Sequence, residues 1–287
     1  MSREARTSES AFSLPKARAI MQWSAVAAAF LIGLRHIMPG EASRGGSFDS
    51  FCPFGGIEIL LPFVLRGETL KSTTLFNFSI LIGVLGLTLM AGRAFCGWMC
   101  PLGTLQDYLA RIARRLSGEK RHIRGKPGQA HFPVRLPQAV DHPLRYAKYF
   151  LLGGILIASL FTVHPPLFEF CPARAAFSLK LSPLLWGVLG IFIGGSLFVE
   201  RIWCKYLCPF AAVMAPLNKI SPLKVITESS RCNQCGRCDI ECSMGLEDVP
   251  QNLDHPECVR CLECLETCAR DGALFLAIGL RREAPAK

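Results

Sequence analysis

Two copies of one cysteine run, Cys232-x2-Cys235-x2-Cys238-x3-Cys242 and Cys258-x2-Cys261-x2-Cys264-x3-Cys268, lie close together in the last third of this 287-residue chain. Eight thiols at this spacing constrain folding more than anything else in the sequence, because the metal they suit dictates the path of the loops. Three cysteines spaced by two residues wrap one 4Fe-4S cubane, and the fourth, a helical turn further on, reaches the other cubane. The ligand sets therefore cross: Cys232, Cys235, Cys238 and Cys268 for one cluster, Cys258, Cys261, Cys264 and Cys242 for the other. Zinc is the competing reading, but tetrahedral zinc takes paired thiolates and leaves the third and fourth cysteines of each run idle. Ser243 and Ala269 stand where proline usually follows the fourth cysteine, which bears on the turn and not on cluster type.

The rest of the chain is too apolar for an ordinary soluble domain. Half of it, 51%, is hydrophobic, and mean hydropathy is +0.32, which points to burial in a bilayer. Four stretches carry this, near residues 19–38, 74–92, 149–163 and 184–199, each extendable to about twenty positions, enough to cross hydrocarbon. Arg3, Arg6, Lys16 and Arg18 precede the first, as in a secretory signal, yet no small-residue cleavage site follows.

Basic residues orient these spans. From Arg93 to Lys148 there are eleven Lys or Arg against three acids, whereas the loop from Pro39 to Thr73 has only Arg44, Arg66 and Lys71 against four. The loop from Pro165 to Ser182 adds only Arg174 and Lys180. The positive-inside rule then puts both termini and the central loop in the cytoplasm of a multi-pass inner-membrane protein. The net charge of +10 is a topology signal and no nucleic-acid footprint is expected; residues 228–270 hold nine acids against four basic residues. In that reducing compartment the fourteen cysteines are not expected to form structural disulfides.

The membrane part reads as one unit written twice. His36 is followed by Phe-Cys-Pro around Cys52, a second span, and Arg93-x2-Cys96-x3-Cys100-Pro101; His164 is followed by Phe-Cys-Pro around Cys171, a second span, and Arg201-x2-Cys204-x3-Cys208-Pro209. A pseudo-two-fold pair of helical hairpins is the natural architecture. Each Cys-x3-Cys pair sets two sulfurs on one face of a helix end, and the proline after it suits the first position of a new helix, whose positive terminus favours thiolate. Joined, the halves assemble Cys96, Cys100, Cys204 and Cys208 beside Arg93 and Arg201, a donor set for a third cluster. The competing reading is unligated core cysteines. The helix starting at Pro101 has Leu105, Leu109, Ile112 and Leu116 on one face, which predicts a helix resting on the cytoplasmic membrane surface.

On the opposite side the same topology gathers Cys52, Cys171, His36 and His164, open to a metal, a disulfide, a quinone head group or plain interfacial roles. A re-entrant Phe-Cys-Pro loop would instead bring its cysteine toward the cytoplasmic thiols. There is no C-x-x-C-H for c-type haem and no nucleotide or flavin motif, so direct NAD(P)H oxidation is not expected.

RAFCGWMCPLG, ERIWCKYLCPFA and the two C-terminal runs resemble the membrane polyferredoxins of the NapH and NosR type, and FCPFGGIE is similar to their YccM-like relatives. The resemblance runs from about Arg18 to Phe275. It implies an integral membrane protein that exchanges electrons between the quinol pool and an unidentified redox protein partner. The whole reading is a mainly α membrane protein: a four-helix transmembrane bundle of two pseudo-repeated hairpins, plus a small α+β module of the bacterial two-cluster ferredoxin type. Its expected limits are an N-terminal segment 1–18, a membrane domain 19–222 with repeats near 19–116 and 145–222, a ferredoxin domain 223–276 and a tail 277–287. The cofactors are two 4Fe-4S clusters, a third iron–sulfur cluster and a quinone. A membrane metal-ion reductase and a redox-sensing or assembly factor are the alternatives.

Overall fold

The computed structural model describes residues 14–35, 52–66, 75–117, 133–161, 170–178, 182–247, 249, 251, 253–268, 270 and 272–278. His36 and His164 lie outside them. The first unit comprises α1 (Leu14–Arg35), α2 (Pro53–Arg66), α3 (Leu75–Ala91), α4 (Ala94–Trp98) and α5 (Pro101–Leu116). The second comprises α6 (Gln138–Leu144), α7 (Ala147–Phe161), α8 (Pro172–Phe177), α9 (Pro183–Phe198), a π-helical turn (Trp203–Leu207) and α10 (Pro209–Ile220). The cysteine runs follow between β1 (Leu223–Thr227) and β2 (Leu274–Ile278), with the short helices α11 (Arg237–Glu241) and α12 (Glu263–Glu266). The two strands pair antiparallel, Leu223 opposite Ile278 and Thr227 opposite Leu274, and so close the module on itself.

The repeat seen in the sequence has a counterpart in the packing. α2 packs on α3 as α8 does on α9, and α1 packs on α5 as α7 does on α10. Across the units, α5 lies on α9 while α10 lies on α3, and α2 meets α7 while α8 meets α1. Each unit thus lends its last helix to the other, and the cysteines that precede those helices are drawn to the centre.

Span length departs from expectation. By length and composition α1 and the continuous stretch Gln138–Phe161 suffice to cross a membrane. α3 and α9, at 17 and 16 residues, fall short of the ~20 such a crossing usually takes. Yet both are apolar on every side, and their outer faces stay open: Ile82 and Met90 are 69% and 70% exposed, Ile191 75%. α1 and α7 do the same with Leu31, Phe150 and Phe161. An apolar surface this broad marks a membrane or a large interface.

α5 packs by its polar face. The face it buries is small and polar, Gly103, Thr104, Gln106, Asp107, Ala110 and Ala113, while Leu116 on the leucine stripe is 82% exposed. The helix packs inward by this face because Gln106 and Asp107 have partners in the other unit, and an outward Leu116 costs little where the surroundings are apolar.

Candidate redox centres

Backbone conformation shapes both cysteine loops alike. Gln234 and Gly236 in the first run, and Arg260 and Leu262 in the second, have positive φ (51, 70, 47 and 62°). Both loops therefore place left-handed residues at the same two positions, directly before and directly after the middle cysteine. Alternating handedness turns successive N–H groups inward, the concavity that suits an anionic cluster. Three of the four residues are not glycine, so the conformation is strained and is held by its surroundings.

Two cavities result. One is lined by Cys232, Cys235, Cys238 and Cys268, the other by Cys242, Cys258, Cys261 and Cys264. Each gathers three thiols from one run and the fourth from the other, the partition the spacing predicts. Burial, then the neighbouring carboxylate of Asp239, pushes the Cys238 thiol up to about 11; burial and Glu263 push Cys261 up to about 12. Thiolates so placed repel one another and lose hydration, and a cationic iron core is what allows them to coexist. Among the described residues no three His, Cys, Asp or Glu close on a single metal ion.

A third group of thiols forms where the two units meet. Cys96, Cys100, Cys204 and Cys208 lie near enough to act on one another, and burial followed by its neighbours' charges raises Cys100, with Cys204 ahead of Cys96, and raises Cys208 in the same way. Cys100 and Cys208 precede the prolines that open α5 and α10. Each unit also reaches across to the other's first cysteine. Gln106 Nε2 donates to Cys204 Sγ at 3.2 Å, and the Cys96 thiol lies 3.7 Å from Met214 Sδ. Gln106 and Met214 occupy the same position, six residues after the second cysteine of their own units.

Two buried arginines flank the thiols. Arg201 is fully engaged: Nε and Nη2 donate to Asp107 at 2.7 Å each and Nη1 to Cys96 O at 3.2 Å. Asp107 also takes Arg18 at 2.9 Å, and burial notwithstanding, the two guanidiniums hold its carboxyl below its usual range. Arg93 is only partly engaged. Its Nη1 donates to Glu257 at 2.8 Å, but Nε and Nη2 are buried with no hydrogen-bond partner among the described residues. An unpaired guanidinium edge costs on the order of 1–3 kcal/mol per group or more, and Arg93 is close enough to Cys96 and Cys204 for their charges to couple. Inorganic sulfide or thiolate within reach of that edge would accept from it. The residues therefore fit a 4Fe-4S cluster.

Cys52 and Cys171 come together as expected, near enough to couple, with Glu58 also in reach of Cys52. Each directly precedes a helix that begins with proline, Pro53 on α2 and Pro172 on α8. Sequence reasoning missed Gln106, Asp107, Met214 and Glu257. The one available signal was the polar Gln106-Asp107 pair opposite the leucine stripe of α5.

The family model described as 4Fe-4S binding domain, Fer4_5, matches residues 73–119 and 182–226. These stretches hold the two Cys-x3-Cys-Pro pairs and not the C-terminal runs. The chain is 27% identical to the YccM protein of Escherichia coli over 79% of its own length and 62% of that protein. It is 32% identical to protein NirI of Paracoccus denitrificans over 63% of its length and 25% of that protein. It is 25% identical to the ferredoxin-type protein NapH of Haemophilus influenzae over 72% of its length and 71% of that protein. The chain is a polyferredoxin of the NapH, NosR and YccM type. Against YccM and NirI this polyferredoxin spans less than two thirds of the relative's length. No solved structure matches it.

Proposed function

We propose that this polyferredoxin is an integral membrane electron conduit that exchanges electrons between the quinol pool and a redox protein partner through three 4Fe-4S clusters. The four-thiol group at the junction of the units, with the incompletely hydrogen-bonded Arg93 guanidinium near enough to couple to Cys96 and Cys204, is the observation that carries this reading. Cys96, Cys100, Cys204 and Cys208 would hold one cluster; Cys232, Cys235, Cys238 and Cys268 a second; Cys258, Cys261, Cys264 and Cys242 a third. When bound, such clusters supply one-electron redox chemistry.

The chain's own residues supply the rest. Arg93, Arg201 and the Gln106 amide place positive charge and hydrogen bonds beside the thiols, which favours the more negative reduced state and raises its potential. Burial keeps water out. The N-terminal ends of α1 and α7 and the C-terminal end of α3 meet the ferredoxin module, through Arg18 on Glu263, Lys148 on Glu257 and Arg93 on Glu257, and α10, which follows α9 after the second cysteine loop, meets it through Asn218 O, which accepts from Arg260. Antiparallel crossings of α1, α3, α7 and α9 account for this, with both termini and the module on the cytoplasmic side of the inner membrane. The exposed apolar faces of all four helices support it, although α3 and α9 are short. The relatives YccM, named for electron transport, and NapH, named a ferredoxin-type protein, support a protein electron partner here.

The test uses the full chain in proteoliposomes without oxygen. Quinol is added to oxidised clusters and quinone to dithionite-reduced clusters, with cluster absorbance and EPR read in both cases. Electron exchange in at least one direction is expected. If neither proceeds, but a cupric or ferric salt oxidises the clusters rapidly and a Cys52→Ser/Cys171→Ser variant loses that ability, the protein is a metal-ion reductase instead.

A further inference from the structure

We infer that the two ferredoxin cavities are not interchangeable. The one lined by Cys242, Cys258, Cys261 and Cys264 is the inner relay, passing single electrons to or from the four-thiol group at Gly97; the one lined by Cys232, Cys235, Cys238 and Cys268 is the outer relay, open to a soluble one-electron carrier protein. This rests on the reading that all three sites hold clusters.

The repeat itself supplies the evidence. Gly97 and Lys205 occupy one position, the residue after the first cysteine of each Cys-x3-Cys pair. A Cβ on Gly97 would lie 2.6 Å from Val259 O and 3.4 Å from Cys261 Cα, so the second run's backbone touches the four-thiol loop at a residue that has no side chain to intervene. Trp98 fixes that approach by donating from Nε1 to Arg260 O at 3.0 Å. Lys205 does the complementary thing: its side chain is buried, its Nζ lies against Gly245, and its charge couples to Cys242. Both loops of the repeat therefore bear on the same cavity, through Cys261 on one side and Cys242 on the other.

The first run is surrounded differently. Arg231, Asn233, Gln234, Arg237 and Arg270 around it are exposed, whereas Val259, Arg260, Leu262 and Glu263 around the second are buried. Tunnelling falls steeply with the gap to be crossed, so backbone contact at Gly97 selects the inner cavity for exchange with the membrane side, and exposure selects the outer one for exchange with a soluble carrier. Each transfer moves one electron: one site loses what the next gains, with no bond made or broken. The carrier protein supplies or removes the electron at the outer site.

The experiment uses the anaerobic full-length chain with Cys235→Ser, Cys261→Ser and Gly97→Leu variants, reading iron content, spin–spin interaction in EPR, and stopped-flow reduction by a reduced plant-type ferredoxin. Cys235→Ser should lose the outer cluster alone and keep the interaction between the remaining two. Cys261→Ser should leave the outer and junction clusters magnetically isolated. Gly97→Leu should keep wild-type iron and outer-site reduction while slowing electron arrival at the junction severalfold. The order is overturned if Cys261→Ser preserves coupling, if Cys235→Ser abolishes it, or if Gly97→Leu with full iron shows unchanged transfer. Should Gly97→Leu not fold, the cysteine variants decide. Wild-type iron near eight instead of about twelve per chain would instead remove the three-cluster reading itself, and iron content separates that failure from the others.

Discussion

The two halves of the repeat share an order of residues and a pattern of packing but differ in what they do for the thiols between them. After its cysteine pair the first half has Gln106 and Asp107; the second has Met214 and Ala215 at the same places. Gln106 gives Cys204 a hydrogen bond, whereas Met214 gives Cys96 a soft apolar neighbour. Asp107 holds Arg201 and Arg18, and Ala215 has no polar side chain to offer Arg93, which turns to Glu257 in the ferredoxin module. Duplication supplied a symmetric cage for four thiols. One side of it carries its own carboxylate, Asp107, and the other takes its carboxylate, Glu257, from the module.

Asp107 is where the difference should be felt most. Asp107→Ala would leave the buried Arg18 and Arg201 guanidiniums without their shared carboxylate, a loss of ~3–5 kcal/mol. Little folded protein should be recovered from membranes, as judged by size-exclusion profile and thermal unfolding in detergent. A stable, iron-replete Asp107→Ala protein would mean that the Asp107 carboxylate is not what holds that side together.

The corresponding change on the other side is Glu257→Gln. Arg93 and Lys148 lose their carboxylate, but the amide still fills the space and accepts a hydrogen bond, so a smaller loss of about 2 kcal/mol is expected. Its mark should be loosened docking: faster proteolysis or hydrogen exchange at residues 255–263 with α1–α3 unaffected. Uniform destabilisation of the whole chain would contradict the division of labour.

The smallest and sharpest contrast is between Gln106→Leu and Met214→Leu. Removing the amide donor from Cys204 costs about 1 kcal/mol of reduced-state stabilisation, roughly 40 mV for one electron, so the junction cluster's midpoint should fall. Met214→Leu conserves volume and should shift it far less. Equal shifts would erase the distinction between the two halves.

Much of this was legible in the sequence because it is written in spacing. The cysteine runs foretell the crossed lining of both ferredoxin cavities, and the repeated Arg-x2-Cys-x3-Cys-Pro foretells the meeting of Cys96, Cys100, Cys204 and Cys208. The inward face of α5 was not legible: its leucine stripe is the stronger periodic signal, and only the distant partners Arg201 and Cys204, some hundred residues away, explain why the polar face turns in. Span length misled for a related reason. Hydropathy is smooth across the ends of α3 and α9, whereas the helices stop at the Arg93 turn and at Val199, where the cysteine loops begin. His36 and His164 lie outside the described residues, so only Cys52 and Cys171 of that set can be placed together.

The claim on which all of this turns is that the junction between the halves is a cluster site. The most direct measurement is iron and acid-labile sulfide in the anaerobically purified full chain beside its Cys204→Ser variant. About twelve of each per wild-type chain and about eight in the variant, with the ferredoxin signals intact, is the expected result. Eight in both would reduce Cys96, Cys100, Cys204 and Cys208 to packed thiols and contradict the account.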